Sequence, residues 1–168
     1  MNFSFSSSHI VLLMLMCCCS TDKNQDIVEN IQAEEEMEQL QPGPARVTDV
    51  SITGEENGYS FSVTISSPDT GCNQYADWWE VIDLQGNLVY RRILAHSHVD
   101  EQPFTRSGGP VEITKDLEVY VRAHMNNSGY GGRVFKGSVQ IGFTSESLSA
   151  DFAKTLETMA PQPDGCVF

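Results

Sequence analysis

Residues 59–66 read Tyr-Ser-Phe-Ser-Val-Thr-Ile-Ser, an apolar or aromatic side chain at every second position. On an extended backbone, successive side chains point to opposite faces. Tyr59, Phe61, Val63 and Ile65 therefore belong to a core, and Ser60, Ser62, Thr64 and Ser66 face water. The same period returns downstream. Leu117, Val119, Val121 and Ala123 alternate with Glu118, Tyr120, Arg122 and His124, and Phe135, Val139, Ile141 and Phe143 extend the pattern. Turn signals punctuate these runs at Glu56-Asn57-Gly58, Gln85-Gly86-Asn87, Ser107-Gly108-Gly109-Pro110, Lys115-Asp116 and Gly129-Tyr130-Gly131-Gly132. Together they predict about seven strands, over 46–53, 58–67, 77–84, 87–95, 110–114, 117–124 and 133–143. The fold class is all-β, an antiparallel sandwich.

The chain has 168 residues and 40% apolar side chains, ordinary usage for one globular domain. Ten basic against 23 acidic side chains give a net charge of −13. Nucleic-acid binding draws its affinity from clustered Lys and Arg, so this balance excludes nucleic acid as a partner. Recognisable catalytic patterns, such as HExxH, GxSxG or a Walker loop, do not occur.

Seven strands in about a hundred residues, with Trp78 or Trp79 on the third and Val119-Tyr120-Val121-Arg122-Ala123 followed by Asn126–Gly129 at the sixth, resemble an immunoglobulin-like or fibronectin type III-like sandwich. Alternation sends one Trp ring into the core and leaves the other partly exposed. After the last strand, Leu148, Phe152, Leu156 and Met159 recur at helical spacing, with Ser145 or Ser147 as N-cap and Pro161 as stop. They predict a short C-terminal α-helix over 145–160 that covers a sheet edge or the open end of the core.

At the other end of the chain, the apolar run Ile10–Met16 is too short to span a bilayer. It is followed at once by Cys17, Cys18 and Cys19 and then by a polar stretch. This arrangement resembles the signal of a bacterial lipoprotein, cut just before a cysteine that carries lipid. The resemblance implies a signal peptide over 1–18, a lipid acceptor at Cys18 or Cys19, and a chain held in the bacterial cell envelope, periplasmic or surface-facing, with the membrane as its partner. Residues 19–44, with seven acidic side chains against Lys23, read as an acidic flexible tether. The domain proper then runs over 45–168.

Beyond the signal only Cys72 and Cys166 remain, and an even pair in an exported chain predicts a disulfide closing a loop of 94 residues. Arg91 and Arg92 are expected to form a local salt bridge with Glu80, Asp83 or Glu118.

His96 and His98, two residues apart, would face the same side of an extended chain as a two-ligand clip for copper or zinc. In a sandwich the ends of strands four and six share a pole with the start of strand three. That pole gathers Asp69, Tyr75, Asp77, His96, His98, Glu101, His124, Asn126 and Tyr130 as candidate ligand-binding residues. The reading is a non-enzymatic envelope lipoprotein, without a cofactor, whose loop-bearing pole binds an envelope protein or small ligand. The alternative is a periplasmic or surface copper- or zinc-binding protein using His96, His98 and His124.

Overall fold

The computed structural model describes residues 44–167. The expected signal peptide, Cys18, Cys19 and nearly all of the tether lie outside the described residues.

Among the described residues, nine strands and one short helix follow in order: β1 Arg46–Thr53, β2 Tyr59–Ser66, β3 Ala76–Asp83, β4 Leu88–Ile93, β5 Phe104–Val111, β6 Val119–Met125, β7 Gly129–Tyr130, β8 Arg133–Ser138, β9 Gly142–Ser147, and a 3₁₀ helix at Lys154–Thr158. They form two antiparallel sheets, β1-β2-β5 and β4-β3-β6-β8-β9, with β7 paired to β6. Phe61, Val63 and Ile65 of β2 face Trp79 and Val81 of β3 and Val119, Val121 and Ala123 of β6 across one continuous core. This is the all-β sandwich that the period-two runs predict.

Three boundaries differ from the sequence reading. The fifth strand lies at 104–111 rather than 110–114. Its glycines read as a turn, but they serve close approach: a Cβ on Gly108 would lie 2.6 Å from the Tyr90 hydroxyl, and one on Gly109 2.7 Å from the Tyr59 carbonyl. The last predicted strand is a hairpin, β8 and β9, which turns at Gly142 with φ 81°.

The third difference concerns the predicted α-helix over 145–160. Ser145 and Ser147 belong to β9, opposite Phe135 and Arg133. Only Lys154–Thr158 is helical, and it is 3₁₀. Ala153 at its start is left-handed, which interrupts an α-helix, and the carbonyls of Phe152, Ala153, Leu156 and Met159 accept hydrogen bonds from two arginine side chains of the sheet. The helical apolar spacing survives in one residue, Leu156, which is buried.

Register also settles the poles. β3 starts opposite the end of β6, with Ala76 beside Met125, and β1 starts opposite the end of β2, with Arg46 beside Ser66. The chain therefore enters the sandwich at the pole that carries the 67–75, 94–103 and 126–128 loops.

Candidate functional site

At this pole the loops are tied together by a few buried polar groups. Asp69 accepts hydrogen bonds from the Ser67 hydroxyl at 2.7 Å, the Ala76 amide at 3.0 Å and the His98 amide at 2.8 Å, so one carboxylate joins two loops to the start of β3. Asn126 does similar work: its side-chain oxygen accepts from the Tyr75 amide, and its amide donates to the Cys72 carbonyl. Tyr75 is buried beneath it, and burial together with Asp77 and Asp69 pushes its hydroxyl pKa up. Glu101 is exposed and pairs with Arg106 at 2.7 Å, which holds its carboxyl below the usual range.

The three histidines divide between the two sides of the larger sheet. His98 turns inward, its ring stacked on core residue Phe104 with 3.8 Å between centroids. Neither of its ring nitrogens has a hydrogen-bond partner among the described residues. Burial, helped by the positive charges of Arg106 and His96, lowers its pKa to about 4. The His96 ring is 4.5 Å from it, centroid to centroid. His124 instead stacks on Trp78 at 3.6 Å, on the face of β3 turned away from the core. Its Nδ1 is 2.7 Å from Asp77 Oδ1, a hydrogen bond, and its Nε2 is 3.8 Å from Glu157. Burial raises the Asp77 pKa, against the lowering effect of that hydrogen bond.

The expected three-imidazole site of His96, His98 and His124 is therefore not assembled. Alternation on β6 carries His124 to the outer face, while the bend after β4 carries His98 to the core end. Among the described residues no group of three or more His, Cys, Asp or Glu side chains is placed to hold a metal ion.

The outer face around His124 is a buried layer. Glu80 accepts from Arg91 on one carboxylate oxygen, with contacts of 2.6 and 2.8 Å, and from Arg122 on the other at 2.8 Å. The remaining guanidinium hydrogens go to the tail: Arg91 donates to the carbonyls of Leu156, Met159 and Pro161, and Arg122 to those of Phe152 and Ala153. Arg91 lies over Trp78 and Arg122 lies 3.4 Å over the Tyr130 ring. Tyr130 is thus an interior residue rather than a ligand-facing one. Burial and the Glu80 charge raise its pKa.

The predicted Cys72–Cys166 disulfide closes this layer, and the Val167 amide donates to the Ala95 carbonyl beside it. Of the local salt bridges expected from Arg91 and Arg92 to Glu80, Asp83 or Glu118, the Arg91–Glu80 pair forms, while Arg92 donates to the backbone carbonyls of Ser107 and Ile93. Both Trp rings are buried, so the expected exposed ring is not found: Trp79 lies in the core and Trp78 within the covered outer face. The sequence reading missed the Arg122 half of the layer. Its signal was a charged residue at the centre of Val119–Met125, a strand otherwise rich in apolar residues.

No family model and no solved structure matches this chain. The chain is similar to a protein of Halomicrobium mukohataei named "Putative lipoprotein", 37% identical over 113 residues. The match covers 66% of this chain and 55% of the relative, so the chain spans a little over half the length of that protein. No helix among the described residues is long and apolar enough to cross a membrane.

Proposed function

We propose that this chain is a cell-envelope lipoprotein that acts by binding rather than by catalysis. Cys18 or Cys19 carries the lipid, residues 19–44 form the spacer, and the sandwich presents its loops to an envelope protein or a small ligand. The observation that carries the reading is the apolar run Ile10–Met16 ending at three cysteines and followed by an acidic polar segment. Similarity to a protein named as a lipoprotein supports it.

The interior supports the binding half of the reading. Asp77, His98, His124 and Tyr130 are all buried and packed into the frame, while Asn73, His96, Asp100, Glu101 and Asn127 stay exposed on the loops. Such an arrangement suits a rigid scaffold with a variable surface.

Labelling with a fatty-acid analogue in a bacterial host should mark the protein. Replacing both candidates, Cys18→Ser with Cys19→Ser, should abolish the mark and release the chain from the membrane fraction. An unlabelled, freely released wild type would overturn the anchor.

A further inference from the structure

The six arginines of the chain all lie in the described domain, and four of them are bonded: Arg91 and Arg122 in the buried layer, Arg92 to backbone carbonyls, and Arg106 to Glu101. Among the described residues, Arg46 and Arg133 make no side-chain hydrogen bond and no ion pair. Both line one cleft of about 390 Å³, with Val47, Thr48, Phe135 and Ser145. Its volume is within the range of small-molecule sites, roughly 300–1,000 Å³.

The cleft exists because β1 and β9 are the edge strands of their sheets and come together at the side of the sandwich. Arg133 and Phe135, two apart on β8, share the face turned toward β1, and Phe135 packs against the core. Two arginines lining one cleft, with no acceptor for either side chain among the described residues, concentrate positive charge locally in so acidic a protein.

We propose that this cleft binds a phosphate group, carried either by a lipid headgroup or by a soluble phosphate ester. A carboxylate offers two oxygens, which one arginine can satisfy in bidentate fashion. Two arginines, with Ser145 also lining the cleft, suit a group with more acceptor oxygens. Val47 and Phe135 give the apolar part of the ligand a floor. The headgroup source has support in the topology, because Arg46 and Arg133 stand at the strand ends of the pole where the chain enters the sandwich. The proposal does not rest on the lipid anchor, since Arg46 and Arg133 belong to the sandwich itself.

The test uses the full chain with Cys18→Ser and Cys19→Ser, so that no lipid can mediate binding. Titration with inorganic phosphate, followed by NMR of the arginine side-chain Nε–H groups, should give saturable shifts at Arg46 and Arg133. It should not shift the buried Arg91 and Arg122. R46Q with R133Q should weaken binding by at least about tenfold while leaving Tm unchanged, because neither side chain bonds within the domain. Sedimentation with phosphatidylglycerol vesicles separates the sources: binding lost in the double variant assigns the headgroup, and phosphate shifts without vesicle binding assign a soluble ester. Either result upholds the cleft. Absence of saturable phosphate shifts, or equal binding by R46Q/R133Q, overturns the proposal whatever the vesicles do.

Discussion

On the outer face of the three-stranded sheet, the hydroxyls of Ser62 and Ser107 meet at 2.7 Å and those of Thr64 and Thr105 at 2.8 Å, in contact with water. On the outer face of the larger sheet, Glu80 and its two arginines meet at similar distances with side chains 0–1% exposed. Both sets occupy the outward positions of alternating strands. The first needs nothing above it, whereas the second is covered by the tail that is fastened at Cys166. Period two identifies which side chains leave the core; it does not say whether they reach solvent. What decides is a segment distant in sequence, held by guanidinium groups that take backbone carbonyls and by one disulfide.

Cutting the tail's covalent tie is therefore the largest expected perturbation. The Cys72–Cys166 bridge closes 94 residues, and loop-closure entropy for that span is worth about 4 to 5 kcal/mol. Cys166→Ser should lower unfolding free energy in urea by about that much. It should also increase hydrogen exchange at residues 152–161 while leaving the β2–β5 ladder protected. A loss under about 1 kcal/mol would mean that the arginine–carbonyl bonds hold the tail without the disulfide.

A direct contrast of the two faces comes next. Glu80→Ala leaves two buried guanidinium groups without their carboxylate, a change that costs about 3 to 5 kcal/mol. Ser62→Ala removes one of a pair of solvated hydroxyls and should stay within about 0.5 kcal/mol. Equal effects in chemical denaturation would erase the distinction between a covered and an open face.

Much of this was legible beforehand. The strands β2 and β6, the disulfide, the Arg91–Glu80 pair and the common pole of the loops follow from alternation, cysteine parity and sandwich topology. The three-histidine site failed because shared height on the sandwich does not imply a shared face: His124 sits outward with Trp78, while His98 leaves its strand and turns toward Phe104. The helix failed because the apolar spacing of Leu148, Phe152, Leu156 and Met159 says nothing about the left-handed backbone at Ala153 or about carbonyls claimed by arginines thirty to seventy residues away in sequence. The glycines at 108 and 109 misled because close approach in a strand and freedom in a turn call for the same residue. The phosphate cleft was not legible at all, since Arg46 and Arg133 lie 87 positions apart and become a pair only through packing of edge strands.

The two buried histidines refine the comparison within one pole. His124 is hydrogen-bonded to a carboxylate, Asp77, whereas the carboxylate nearest the His98 ring, Asp69, stands at 3.9 Å, beyond hydrogen-bond reach. The folded-state pKa of His98, about 4, lies below its unfolded value near 6.5. Between those values the unfolded chain binds the extra proton and the folded chain does not. Stability from this ring is therefore fully present above about pH 6.5 and falls as pH drops toward 4. The span corresponds to a few kcal/mol at most, about 2 to 3 kcal/mol. Asp77 acts with the opposite sign, because its raised pKa lets the folded state take up a proton more readily near the carboxylate range. His98→Leu should keep contact with Phe104 and flatten the loss of urea stability between pH 7 and 4. If the variant retains the wild-type slope, the acid sensitivity belongs to carboxylates elsewhere in the chain rather than to the His98 ring.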